Sequence, residues 1–258
     1  MPNARRSGQA ADERAIPGTS SEPRDVVAAL ERAPRLPDGS ELRFRGYGVV
    51  GPPLASGHVL ALRRFPASSL GPGYTCVWHR DPGGRWTFHA DVPPPASCAH
   101  FHGDGAAAAT VDRITLTWTG SRSLTVVVED ARLAWAVHLR PTARCRLLSA
   151  AAAAVPDRLW RDERTLAAAA AVAGRALDLG RLSLSGRTPR GYHFRHAPQR
   201  VWLVDGSTAL MDGHSLGPPD DDAATQSRLG DFWIPRRGVF AVGASFFDER
   251  NDGAPGPA

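Results

Sequence analysis

Three short segments in the middle of the chain share one apolar face. Residues 113–119, 123–129 and 132–139 alternate apolar and polar side chains, and short polar turns separate them. Paired as consecutive antiparallel strands, they bring their apolar positions opposite one another, because side chains alternate across a strand. The sequence therefore predicts an antiparallel meander with one dry and one mostly polar face. The predicted pairs on the dry face are Leu116 with Val126, Trp118 with Leu124, Val128 with Leu133, and Val126 with Trp135.

Short apolar segments continue this pattern on both sides of the meander, at the spacing typical of all-β domains. About ten strands are predicted in total. Between residues 145 and 178 the periodicity becomes helical, with a break at Pro156 and Asp157 as the predicted N-cap of the second half. These features favour a mainly β, antiparallel barrel with one helical insertion at about 145–178. A two-sheet sandwich is the alternative.

One domain is expected over residues 23–247, between polar, disordered tails at residues 1–22 and 248–258. A short helix is predicted from Pro23 to Arg32, with Val26, Val27 and Leu30 on its buried side. The first twenty residues have no apolar core of a secretory signal, and no apolar run reaches the ~18 residues that a membrane helix needs. A cytoplasmic protein without stable membrane insertion is therefore expected.

Composition excludes several function classes. All 31 basic residues are arginine, so Schiff-base catalysis, a phosphate-loop lysine and a lysine general base are ruled out. The net charge of +5 is spread along the chain, whereas nucleic-acid binding needs clustered basic residues, so no nucleic-acid partner is predicted. The sequence has neither a glycine-rich dinucleotide loop nor a Gly-x-Ser-x-Gly elbow. No cofactor is predicted.

The hairpin around the turn at residues 81–84 gathers chemically active side chains. A four-residue loop there would place Tyr74 opposite Asp91, Cys76 opposite His89, and Trp78 opposite Thr87, so that one face carries a phenol, a thiol, an imidazole and a carboxylate. Such convergent polar groups on a covered strand pair could line a ligand cavity. The alternative is an outer sheet face with ordinary cross-strand pairs. The candidate catalytic residues are Tyr74, Cys76, His89 and Asp91.

A second cluster follows at residues 98–102. In a strand, Cys98, His100 and His102 would point the same way, and thiolates and imidazoles are common zinc and iron ligands. Three ligands from one short segment are an incomplete site, however, and a loop with partly exposed histidines is the alternative. No metal is therefore predicted, with these three residues as the one candidate set.

The segments ITLTWTGSRSLTVVVEDARLAWAVHLRP and GRTPRGYHFRHAPQRVWLVDGSTALMDG, separated by the helical insertion, resemble lipocalin-like β-barrel proteins of the carotenoid-hydratase and tocopherol-cyclase type. The resemblance covers residues 40–247 and extends to bacterial proteins of this build. It implies an antiparallel lipocalin-like (calycin-type) barrel that holds a hydrophobic ligand. Some members of this group catalyse hydration, cyclisation or isomerisation.

Two functions follow as hypotheses. The first is a cofactor-independent hydratase, cyclase or isomerase that encloses a terpenoid or polyketide and holds it in a reactive shape away from water. The second is a non-catalytic carrier with the same pocket. If the interior is packed solid, an interaction module is the remaining reading. The residues predicted to line the ligand cavity are Trp78, Leu116, Trp118, Val126 and Trp135.

Overall fold

The computed structural model describes residues 21–220 and 226–248. The predicted tails lie almost entirely outside these residues. The fold is mainly β, as predicted: a large curled sheet carries helices on both of its sides. The helices are α1 (Pro23–Arg32), α2 (Ala99–His102), α3 (Ala143–Ala154) and α4 (Glu163–Ala176). The strands are β1 (Leu42–Pro53), β2 (Val59–Ser68), β3 (Tyr74–Arg80), β4 (Trp86–Ala90), β5 (Ala108–Val111), β6 (Ile114–Trp118), β7 (Ser123–Val128), β8 (Leu133–Arg140), β9 (Ser185–Arg187), β10 (His193–Met211), β11 (His214–Ser215), β12 (Arg228–Leu229), β13 (Phe232–Trp233) and β14 (Val239–Asp248).

The large sheet has the strand order β5-β4-β3-β2-β1-β14-β10-β8-β7-β6, with β9 and β11 paired to β10. β4 and β5 run parallel, with Thr87 beside Ala108, because the connection through α2 returns the chain to the same end of the sheet. The predicted purely antiparallel sheet is therefore wrong at this edge. Within the described residues β5 and β6 are the two ends of the order, so the sheet is a curled half-barrel and not a closed lipocalin barrel.

The meander is confirmed as β6, β7 and β8. All four predicted pairs are present: Leu116 with Val126, Trp118 with Leu124, Val128 with Leu133, and Val126 with Trp135. Its dry face forms part of a first core, which the predicted helix α1 covers with Val26, Val27 and Leu30. The polar face, including Thr117, is exposed.

A second core lies on the opposite side of the sheet. Strands β2 and β3 are buried on both faces, so that Leu62 and Val77 belong to the first core while Ala61 and Trp78 belong to the second. Helix α2 and the small β12–β13 hairpin cover this second core, mainly with Phe101, Leu229 and Phe232. The half-barrel is thus packed on both sides.

The predicted pairing of β3 with β4 is wrong by one residue. The Asp81 N–H donates to the Arg85 carbonyl oxygen at 3.0 Å, so the loop has three residues where four were predicted. Cys76 therefore pairs with Ala90, and His89 pairs with Val77. A shift of one residue moves every side chain of a strand to the other face. His89 consequently lies on the opposite face from Tyr74 and Cys76.

The helical insertion is confirmed and consists of two helices joined by a 3-10 turn at Asp157–Arg161. The predicted N-cap at Asp157 is wrong by five residues, because Asp162 caps α4 through a hydrogen bond from the Thr165 N–H at 2.8 Å. Both helices are rich in alanine and pack on the sheet through small side chains. No helix among the described residues has the length and apolar character needed to cross a membrane.

The packing of the meander yields a stability prediction. Leu124 is fully buried in the first core, and Leu124→Ala should lower the free energy of unfolding by about 2–5 kcal/mol through lost burial and a residual cavity. Thr117→Ala, on the exposed face of the paired strand, should change it by less than about 0.5 kcal/mol. Urea unfolding of both variants checks this. Equal effects would contradict the assignment of the two faces.

Candidate functional site

The central strands and the two long helices enclose an apolar cavity of about 500 Å³. It lies on the face of β1, β14 and β10 that is turned toward α3 and α4. A cavity of this size and character is typical of small-molecule sites. The sheet side includes the small residues Gly46, Gly48, Ala241 and Gly243, and the helix side includes Ala151, Ala152, Ala169, Val172 and Ala173.

Small residues at many positions of both walls leave room for the cavity. A Cβ on Gly48 would overlap the Leu62 carbonyl oxygen, and a Cβ on Gly243 would overlap the Ala197 carbonyl oxygen. The close approach of neighbouring backbones therefore requires glycine at both places. The register of β1 with β2, and of β10 with β14, also shifts near these glycines. Gly48 and Gly243, which allow the sheet to curl, therefore also leave its surface beneath the helices without side chains at these positions.

Two polar side chains of the cavity wall form a cross-strand pair. His196 on β10 lies opposite Ser245 on β14, and its Nδ1 is 2.9 Å from Ser245 Oγ. The imidazole packs against Phe194 and Phe232, with ring centroids 5.0 and 5.6 Å away. Burial, followed by the nearby Arg63 and His102, lowers the pKa of His196 well below its usual value. The pair therefore presents a neutral imidazole and a hydroxyl.

Arg63 is the one charged side chain in the cavity wall formed by the described residues. It extends from β2, and its Cζ lies 5.0 Å from the Phe232 ring centroid and 5.5 Å from that of Trp78. Arg63 makes no salt bridge with any residue in the ranges 21–220 and 226–248. Burial lowers its pKa, and the charges of Cys98, Tyr74 and Cys76 oppose that shift.

Three of the residues singled out from sequence lie beside Arg63. Tyr74, Cys76 and Trp78 are buried in the second core. The Tyr74 hydroxyl lies 3.6 Å from Cys98 Sγ, and burial raises the pKa of both Tyr74 and Cys76. They surround the arginine and do not line the cavity.

The other two candidate catalytic residues lie apart from this group. His89 forms a hydrogen-bonded pair with Asp112, with Nδ1 and Oδ2 2.9 Å apart. Asp91 accepts a hydrogen bond from the Thr75 N–H at 2.7 Å and so joins the ends of β3 and β4. The structure thus brings Tyr74 and Cys76 together but separates both from His89.

Four of the five residues predicted as a ligand-binding wall belong to the first core, and the fifth, Trp78, belongs to the second. Val126 and Trp135 are buried in the first core, with Leu116 and Trp118 packed against them. The Trp135 Nε1–H donates to Ser207 Oγ at 2.9 Å, which satisfies the buried indole. None of the four lines the cavity, which lies on the other side of the sheet.

The candidate metal ligands occupy a helical turn and not the predicted strand, because Pro94 begins a 3-10 turn that leads into α2. A helix directs alternate side chains away from one another. Cys98 accordingly faces Tyr74, His100 Nε2 lies 3.1 Å from the Tyr192 hydroxyl, and His102 packs on Trp78. No cluster of three or more His, Cys, Asp or Glu within the described residues could hold a metal.

Sequence reasoning missed Arg63, His196 and Ser245 as a group. Two signals were available: a pair of arginines in the otherwise apolar segment VLALRRF, and the small residues of AVGAS in the last strand. Neither signal indicates which strands are neighbours. The strand order places these residues together.

No family model matches the chain, and no curated protein matches it. Among solved structures it is similar to acetoacetate decarboxylase from Legionella pneumophila subsp. pneumophila str. Philadelphia 1, at 12% identity and a TM-score of 0.35, over 85% of this chain and 92% of that chain. No family model supports the resemblance to carotenoid hydratases and tocopherol cyclases.

The buried histidines beside the cavity predict a pH-dependent stability. Burial, with a smaller effect of Arg63, lowers the pKa of His102 to about 3, and its Nδ1 has no hydrogen-bond partner. An unfolded histidine titrates near pH 6.5, so the unfolded state gains a proton that the folded state excludes. Stability is then fully present above about pH 6.5 and is lost as the pH falls toward about 3. His102 alone should lower the free energy of unfolding by about 2 kcal/mol when the pH falls from 7 to 5.

Urea unfolding of His102→Phe at both pH values tests this expectation. The variant keeps an aromatic ring against Trp78 and should lose about 2 kcal/mol less than the wild type on acidification. His214→Ala, at an exposed turn, should retain the wild-type difference. An unchanged pH dependence in His102→Phe would show that this histidine is not held neutral.

Proposed function

We propose that the protein binds a hydrophobic small molecule in the cavity between its curled sheet and helices α3 and α4. The observation that carries this proposal is an apolar space of about 500 Å³ with few polar groups in its wall. Transfer of an apolar ligand from water into such a space lowers the free energy of the system. The proposed ligands are compounds with an extended hydrocarbon body, such as terpenoids or polyketides.

A carrier and an enzyme would share this cavity. One observation favours chemistry: the His196–Ser245 pair places a neutral imidazole within a water-poor site, where it could accept or donate a proton. The absence of lysine excludes Schiff-base chemistry. For an enzyme, an acid–base isomerisation, hydration or cyclisation is therefore proposed, with His196 as the proton-transferring group. Tyr74 and Cys76 lie outside the cavity wall and would affect the reaction only through the electrostatic environment of Arg63.

A large side chain in the cavity should weaken ligand binding. Ala241 lies on its sheet side, and Ala241→Phe should weaken binding of the neutral fluorescent probe N-phenyl-1-naphthylamine by roughly tenfold or more, because the new ring occupies the ligand's space. Fluorescence titration measures the affinity, and circular dichroism verifies that the variant is folded.

The matched control is Ala136→Phe. Ala136 also lies on a strand, but its side chain is exposed on the polar face of the meander. This variant should bind the probe as the wild type does. If folded Ala241→Phe also binds as the wild type does, the ligand does not enter this cavity and the proposal is wrong.

The carrier and the enzyme differ in what becomes of the ligand. Mass spectrometry of a bound compound recovered after incubation should show an isomerised, hydrated or cyclised product with the wild type if the protein is an enzyme. His196→Gln should then retain binding but form at least tenfold less product, because it removes the proton-transferring group. Recovery of the unaltered compound from the wild type would instead support the carrier.

A further inference from the structure

One charged side chain lines the apolar cavity without a carboxylate partner. Arg63 makes neither a salt bridge nor a side-chain hydrogen bond with any residue that the structure describes. Other mostly buried arginines of the sheet have such partners: Arg64 binds Glu31 through two hydrogen bonds of 2.9 Å, and Arg195 donates to Asp248 at 2.5 Å. Arg63 differs from these two arginines in that its guanidinium lines the cavity without such a partner.

Leaving this cation unpaired is costly. A guanidinium removed from water loses its hydration, and only acceptor groups at close range restore that energy. Its aromatic neighbours Trp78 and Phe232 compensate in part through their ring faces. These rings do not accept hydrogen bonds from the Arg63 N–H groups as an anion would.

The groups nearest to Arg63 include no carboxylate. Burial raises the pKa of Tyr74 and of Cys76, so both remain neutral near pH 7. Burial also raises the pKa of Cys98, but hydrogen bonds with Cys76, Trp78 and Tyr74 and the charge of Arg63 outweigh it and lower that pKa to about 7. Cys98 is therefore the nearest group that can carry a negative charge, yet its polar contact is with the Tyr74 hydroxyl and it forms no hydrogen bond with Arg63.

The sheet register shows where an anion would lie. Arg63 pairs with Gly48, and Gly48 pairs with Ala241, so a row of nearly bare backbone runs from the arginine into the cavity. Beyond this row, His196 and Ser245 add polar groups to the same cavity wall. A planar guanidinium forms two parallel hydrogen bonds with a carboxylate, which suits a flat anionic head group next to an apolar body.

From these observations we infer that the ligand is an amphipathic monocarboxylate, such as a fatty acid, whose carboxylate binds Arg63 while its hydrocarbon body fills the space beneath α3 and α4. This inference rests on the proposed function and specifies the chemical class of the ligand. It also gives a role to the one arginine among the described residues of the cavity wall.

Dodecanoate and dodecanol test the inference, because they share one hydrocarbon chain and differ in the head group. Isothermal titration of the full chain should show dodecanoate binding roughly ten- to a hundredfold more tightly than dodecanol, since charge-assisted hydrogen bonds form with the acid alone. Arg63→Met replaces the arginine by an uncharged side chain and should reduce this preference to about twofold or less. Arg85→Met, in the exposed hairpin loop, changes the net charge equally and should leave the preference intact.

Each result has a distinct meaning. If the wild type binds both compounds with equal affinity, the carboxylate inference is overturned while the hydrophobic site stands. If Arg63→Met retains the preference for the acid, the anchor lies elsewhere and the inference is likewise overturned. If neither compound nor the neutral probe binds, the proposed function itself fails. The comparison of acid with alcohol on the wild type decides the matter even where Arg63→Met does not fold.

Discussion

The close approach of backbones at Gly48 and Gly243 is the constraint on which the rest of the structure depends. At these positions the sheet has no room for a Cβ, and the strand registers shift beside them. Sheets with more than about ten strands usually curl, split or flatten. Here the β-bulges near glycine bend the strands. The bend then turns one bare stretch of sheet toward the helical insertion, whose alanines leave the opposite wall equally bare. Shape and cavity therefore have one cause.

The number of covered faces of a strand determines whether it can contribute residues both to a core and to the cavity. β2 presents Leu62 to the first core and Arg63 to the cavity side of the sheet, one residue apart. The meander has only one covered face, so its apolar residues are used in packing and line no part of the cavity. The half-barrel thus separates a packed side, covered by α1, from a side that holds both the second core and the cavity.

Much of the fold follows from the sequence, and most of the site does not. The meander register, helix α1 and the helical insertion depend on local periodicity, which a single sequence displays directly. The pairing of β3 with β4 depended on whether Asp81 joined the strands or the loop, and one residue of error moved His89 to the wrong face. The parallel edge strand β5 and the helical turn at residues 98–102 had no local signal beyond prolines, because tertiary packing determines both.

The site itself arises from strand order. Arg63 lies on β2 and His196 on β10, and two strands separate them in the sheet. With strands about 4.8 Å apart, side chains at that separation in a flat sheet would be roughly 14 Å apart at their bases. Here both contact the same ring, that of Phe232, at 5.0 and 5.6 Å from its centroid. The two intervening strands carry only small residues at the cavity positions Gly46, Gly48, Ala241 and Gly243, and larger side chains there would hold the two groups apart. Substituting them would therefore alter the site without touching any of its polar atoms.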